Sequence, residues 1–352
     1  CRAAQINVQV SKTIGPSFWQ VHERMAAPEL LQATSTLIDS WIARTNSSRD
    51  TAQSSALESS EKLSEQAISF SCGEDQLIGV LHRGSAQIKC GVVGVVAGGP
   101  QYRAGAHRQF VSLSRKLAKQ GHSVLRFDLR GMGDSNGEHL GYQQSAPDIK
   151  AAIDALLINE PHISEVVLFG ECESASGILF YAYRDPRVAG IVLVNPWVRT
   201  EEGQAQVIIK HYYWERLTSR EFWRKIVSGK FNPVTAFKSL VNVLMLYRRG
   251  QKANQAATSD VQDADISALP LPQKTAAGFR RFAGAIFVLM SGHDYIAREF
   301  DQVVKTSPAW QGLLENPRVT RRDMQGADHT FSREVWKNQA HEWIADWIAR
   351  RQ

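Results

Sequence analysis

The chain has 352 residues, 43% of them hydrophobic, with 41 basic against 35 acidic side chains and a net charge of +6. Such a length holds one large domain with an appendage, or two domains, and so mild a basic excess does not by itself imply a nucleic-acid partner. No apolar run reaches the roughly 18–20 residues of a membrane span, and Cys1, Cys72, Cys90 and Cys172 show neither metal-ligand spacing nor a disulfide framework, so a soluble, cytoplasmic protein is expected.

The opening residues Cys1-Arg2-Ala3-Ala4-Gln5 carry no secretory signal, and a start at Cys1 rather than Met suits a fragment or a processed form. A short strand over Ile6–Val10 and a turn at Gly15-Pro16 precede a helical pattern from Pro28 to Ile42. The stretch from Asn46 to Gln66, rich in Ser, Ala, Glu and Gln and without aromatics, reads as a linker or a solvated helix. Residues 1–66 are therefore expected to be an extension and linker outside the main fold, disordered in part.

Strand patterns begin at Ala67. Ile68-Ser69-Phe70 and Leu77–Leu81 flank a Gly73-Glu74-Asp75 turn, a hairpin signal, and Cys90–Ala97 is the continuous β-branched run of a strand buried on both faces. Helix 107–120, strand 123–128, helix 146–158, strand 165–169, helix 174–183 and strand 188–194 then alternate, which predicts an α/β fold with a mostly parallel sheet and helices on both faces. The alternation stops near residue 200 and resumes at Gly284–Met290. The intervening residues 201–277, with Tyr212-Tyr213-Trp214, Phe222-Trp223-Arg224-Lys225 and a basic helical run to Arg249, are expected to form a helical cap inserted between core segments 67–200 and 278–352. Its charges suit a solvated helix face, or a basic amphipathic surface making peripheral membrane contact. A closing helix places Val335, Trp336, Ala340, Trp343, Ile344, Trp347 and Ile348 on one stripe, a core pattern rather than a ligand box.

The chemistry centres on Val166–Gly177, where an apolar strand runs through Gly170-Glu171-Cys172-Glu173-Ser174 into a helix. A strand, a sharp turn and a helix lift the apex residue clear of the sheet, and only small neighbours tolerate the turn. Cys172 at that apex is a candidate nucleophile; the competing reading is a buried core cysteine. Its partners would be Asp294, after strand 285–290, and His329, after the next strand, in the order nucleophile, acid, base. Asp294 alone would equally suit a helix N-cap. His293 shares the acid's loop and Asp328 would point away, which leaves His329 as the base. Oxyanion donors would be the amide of Glu173 and one from Gly98-Gly99-Pro100-Gln101, either Gly99 or Gln101, because Pro100 has none. A thiol nucleophile favours thioesters, lactones and activated esters over amides.

Gly98-Gly99-Pro100-Gln101-Tyr102-Arg103, His107-Arg108-Gln109-Phe110, Asp128-Leu129-Arg130-Gly131-Met132-Gly133-Asp134-Ser135 and the Gly-x-Cys elbow resemble an α/β-hydrolase. More narrowly they resemble the exosortase A system-associated hydrolase of type 1, from about Ala67 to the end of the chain. Gly15–Trp19 and Pro28–Thr34 look more faintly like the tail of the type-2 hydrolase of that system. The resemblance implies a hydrolase encoded with an exopolysaccharide and protein-sorting cluster, with no cofactor and with Cys172, Asp294 and His329 as its triad. The family does not supply a substrate; the residues themselves point to a small-molecule or acyl substrate and to no metal. Ser174 stands where the elbow commonly has glycine. An acyltransferase on the same fold, or a non-catalytic binding module using the basic cap, are the alternatives.

Overall fold

The computed structural model describes residues 28–46, 65–96, 102–198 and 266–351. The chain divides into two compact units, Cys1–Lys62 and Leu63–Gln352. In the first, helix α1 spans Pro28–Asn46 with Glu29 in its first turn, where a carboxylate favours the helix dipole.

The second unit is built on one eight-stranded sheet. Its strands are β1 (Glu65–Cys72), β2 (Asp75–His82), β3 (Cys90–Val95), β4 (Val124–Phe127), β5 (Glu165–Glu171), β6 (Val188–Val194), β7 (Ala285–Ser291) and β8 (Val319–Met324), in the order β1-β2-β4-β3-β5-β6-β7-β8. The hairpin β1–β2 and the β2–β4 pair are antiparallel, and every later pair is parallel. The hairpin opens at Glu65 rather than at Ala67, because the Glu65 carboxylate is held by Arg115 at 2.6 Å and Gln66 accepts a hydrogen bond from Arg83.

Helices α2 (Gln109–Lys119), α3 (Ala146–Asn159), α4 (Glu173–Tyr181), α5 (Leu271–Arg281), α6 (Tyr295–Thr306) and α7 (Glu334–Ala349) cover the sheet. Strand alternation sends Val166 and Leu168 of β5 to the face packed by Ile149, Ile178, Phe279 and Phe300, and Val167 and Phe169 to the face packed by Phe110, Leu113, Ile344 and Ile348. A three-layer core results. Strand β3 is buried throughout and β6 at every residue but Ala189, as parallel strands covered on both faces must be.

Several sequence expectations are corrected here. The helix expected over 107–120 begins instead as a 3-10 turn, Ala106–Arg108, with left-handed His107 and Arg108, and turns α-helical only at Gln109. Val335 is 71% exposed, so the stripe of α7 that packs on the sheet runs through Ala340, Ile344 and Ile348 with the indoles of Trp336, Trp343 and Trp347 at its margin. Leu271–Ala277, assigned by sequence to the cap, are part of α5, whose Ala276, Ala277 and Phe279 are buried. A Cβ on Gly278 would stand 2.1 Å from the carbonyl oxygen of Leu179, so α5 and α4 cross backbone to backbone. The aromatic and basic segments of the expected cap, and the loop Gly98–Gln101, lie outside the described residues.

Candidate active site

The carboxyl ends of β5, β6, β7 and β8 lie side by side, and the loops leaving such ends converge at one edge of a parallel sheet. Cys172 leaves β5 with φ 57° and ψ −119°, a conformation that costs an L-residue about 1–3 kcal/mol and persists only when its surroundings enforce it. The enforcement is visible. Cys172 N–H donates to Val194 O at 2.8 Å, and Cys172 O accepts from Trp197 N at 3.2 Å. Ser174 Oγ accepts from Glu171 N and donates to Glu171 O, both at 2.8 Å. At Gly170 a Cβ would meet Ser174 Oγ at 2.8 Å and the Ala175 backbone at 3.0 Å, so only glycine fits beneath this turn. Ser174 thus occupies its position by clamping the elbow.

Cys172 is the N-cap of α4, where the helix dipole favours an anion. It is half-buried, whereas the thiols of Cys72 and Cys90 are buried, and all three are unpaired. Burial pushes the Cys90 thiol up to about 11 and raises that of Cys72, with Asp148 adding to the latter.

Asp294 and His329 come from successive strand ends. The loop of Asp294 is zipped to the loop of His329 by hydrogen bonds from Gly292 N to Met324 O and from His293 N to Ala327 O, both 2.9 Å. A Cβ on Gly292 would lie 2.2 Å from Gln325 O, so the approach requires glycine. Asp294 is buried and accepts from Ile296 N at 3.0 Å and Ala297 N at 3.2 Å. Its Oδ2 also takes a hydrogen bond from His329 Nδ1 at 2.6 Å. One carboxylate therefore caps α6 and also accepts from the His329 ring. Burial opposes charge on the His329 ring, but hydrogen bonds to Asp294 and to Cys172 outweigh it and raise its pKa to about 10. The structure thus brings Cys172, Asp294 and His329 together. His293 is exposed, and Asp328 turns to Ser332, accepting from its backbone N at 2.9 Å.

Glu171 and Glu173 flank the thiol. Desolvation pushes the Glu171 carboxyl up to about 7, with the charge of His329 acting the other way, and also raises Glu173 against the pull of His139. Tyr142, half-buried beside them, is pushed up to about 12 by burial and by the neighbouring Glu173 and Cys172 charges. The Asp-x-Arg-Gly segment braces the loop entering α2: Asp128 accepts from Arg103 N at 2.5 Å and pairs with its guanidinium, and Arg103 also meets Asp134 at 2.6 Å. Arg130 and Asp148 form a two-bond pair at 3.0 Å. Among the described residues no group of three His, Cys, Asp or Glu side chains could hold a metal ion, and no helix is long and apolar enough to cross a membrane. Of the expected oxyanion donors, the Glu173 amide opens α4 directly behind the thiol, while Gly99 and Gln101 lie outside the described residues.

Solved structures share this arrangement of strands. The Pyrococcus furiosus esterase Pf2001 matches with a TM-score of 0.53 at 14% identity, over 82% of this chain and 93% of its own. This is the α/β-hydrolase fold. The α/β hydrolase GrgF from Penicillium sp. sh18 matches the same fold with a TM-score of 0.50 at 16% identity, over 80% of this chain and 98% of its own. Residues 102–260 match the family model of the serine aminopeptidases S33, a span that contains the elbow and ends before Asp294 and His329. That family is named for serine, whereas this α/β-hydrolase fold carries Cys172 at its elbow. No curated protein matches the sequence.

Sequence reasoning missed Asn195, Ser291, Tyr142 and Gln109. Asn195 and Ser291 stand at the carboxyl ends of β6 and β7, a position that itself signals proximity to the site.

Proposed function

We propose that the chain is a hydrolase that cleaves an ester or thioester of a small-molecule or acyl substrate through an acyl-enzyme on Cys172. The observation that carries this reading is a half-buried thiol on a strained strand-to-helix turn, within hydrogen-bonding reach of a histidine whose far nitrogen is 2.6 Å from a buried carboxylate. Each group then has one task.

His329 accepts the thiol proton, and Asp294 holds the ring and stabilises the imidazolium. The sulfur attacks the carbonyl carbon, and the oxyanion lies against the Glu173 amide and a donor from Gly99 or Gln101. Collapse breaks the bond to the alcohol or thiol, which leaves with the proton from His329. Water, deprotonated by His329, then attacks the thioester on Cys172, and a second collapse returns the thiol and releases the acid. Thiolate attack suits thioesters and activated esters, which need little help for their leaving groups.

The link to an exosortase and exopolysaccharide system rests on Gly98–Arg103, the Asp128–Ser135 segment and the cysteine elbow. Three unpaired thiols suit a reducing, cytoplasmic setting. Turnover of short-chain nitrophenyl esters and thioesters tests the proposal. Hydrolysis lost in both Cys172→Ala and His329→Ala supports it, and hydrolysis retained by Cys172→Ala overturns it.

A further inference from the structure

His329 is held from behind as well as from the side. Its backbone carbonyl accepts from Asn195 Nδ2 at 3.0 Å, and the next carbonyl, that of Thr330, accepts from Gln109 Nε2. The two carboxamides come from different elements, Asn195 from the end of β6 and Gln109 from the first turn of α2. Both are buried, at 1% and 2% exposure. His107 adds Nε2 to Thr330 Oγ1 at 3.1 Å.

Asn195 does more than meet the base. Its Nδ2 also donates to Ser291 Oγ at 2.5 Å, its Oδ1 accepts from Ser291 N at 2.9 Å, and its own N–H donates to Leu289 O at 3.0 Å. Ser291 closes β7 and stands in the loop that delivers Asp294. One side chain therefore ties the backbone of the base to the strand end that carries the acid.

The backbone at these positions is strained where the cradle requires it. Asn195 has φ 45°, and Phe331, directly after the clamped carbonyls, has φ 48°. Asparagine is the residue other than glycine that enters this region most readily. Glycine would relax the backbone at position 195 and supply no amide, so strain relief alone does not account for the residue there. An aspartate would turn a carboxylate oxygen toward the His329 carbonyl, acceptor against acceptor.

We infer that Asn195 and Gln109 are positioning residues that fix the His329 backbone and so set the geometry of the His329–Asp294 pair. The inference rests on the Cys172 acyl-enzyme reading. Its test uses the intact chain with Asn195→Gly, which keeps the left-handed backbone, and Gln109→Met, which keeps side-chain length, beside His329→Ala. Four quantities are measured: kcat and KM for a thioester, the pH dependence of Cys172 alkylation by iodoacetamide, and the His329 Nδ1 proton resonance.

Each positioning variant is expected to lose about tenfold or more in kcat with KM within about threefold of wild type. The alkylation limb governed by His329 should move to lower pH, and the low-field Nδ1 proton should broaden or shift upfield. A role in folding alone would lower the melting temperature and leave the folded protein with wild-type kcat, alkylation profile and proton resonance, and that result overturns the inference. If instead His329→Ala keeps wild-type turnover and alkylation, the acyl-enzyme reading itself fails. In that case the Nδ1 resonance still reports whether Asn195 and Gln109 hold the ring.

Discussion

His329 Nδ1 lies 2.6 Å from Asp294 Oδ2, and the same oxygen accepts from Ala297 N at 3.2 Å at the start of α6. The carboxylate that meets the His329 ring is thereby fixed by a helix. Helix formation and ring orientation are coupled through one residue, and Asp294→Ala should cost both. We expect a loss of about 0.5–2 kcal/mol of stability from the weakened cap and a fall in turnover on the order of a thousandfold or more from the misdirected ring. Thermal denaturation and thioester kinetics on the one variant measure the two losses.

The same pair makes stability depend on pH. The folded-state pKa of His329 is raised from 6.5 to about 10, so the protonated ring is favoured in the native state. That contribution is fully present below about pH 6.5 and is lost as pH rises through about 10. Denaturant unfolding of wild type and His329→Gln between pH 6 and 10.5 should show a stability difference that shrinks toward the alkaline end; a constant difference would show that the ring does not titrate with folding.

Glu171 follows the same sign for a different reason. Desolvation raises its carboxyl from 4.5 to about 7, so the native state favours the neutral acid, and the stability gained below about pH 4.5 is lost as pH rises through 7. Glu171→Gln should therefore stabilise the fold at pH 8 by no more than about 3 kcal/mol, with little change at pH 4.5. Urea titrations at the two pH values distinguish this from a uniform effect.

Ser174 stands where a glycine is common, and its hydroxyl spans the Glu171 N–H and carbonyl at 2.8 Å each. Ser174→Ala should lose about 1–2 kcal/mol with slower Cys172 alkylation, because the strained elbow loses its clamp. Unchanged alkylation with lowered stability would show that the elbow holds its shape without the hydroxyl.

The elbow and the loops that bring Asp294 and His329 to it were legible in the sequence because each depends on local text. Gly170-x-Cys172 after an apolar strand, and polar residues after the strands ending at Ser291 and Met324, mark loops that a parallel sheet must gather at one end. That Asp294 both caps α6 and accepts from His329 was not legible, since the two contacts are competing readings until both partners are seen. Asn195 was hidden for a related reason. An asparagine after a strand reads as a turn residue, and its hold on His329 joins positions far apart in the chain. His107 and Arg108 read as the first residues of a helix, yet the chain spends left-handed conformations there to bring Gln109 and His107 against Thr330. The Val335 reading failed because a helical stripe taken from sequence does not show where the sheet beneath it ends.

Whether Cys172 carries the acyl group is read by intact-protein mass spectrometry of the chain quenched in acid during thioester turnover. The expected result is a mass increase equal to one acyl group, mapped by peptide digestion to Cys172, absent in Cys172→Ala and not found at Cys72 or Cys90, whose thiol pKa values burial raises. Turnover with no acyl adduct at Cys172, or an adduct that persists in Cys172→Ala, would contradict it.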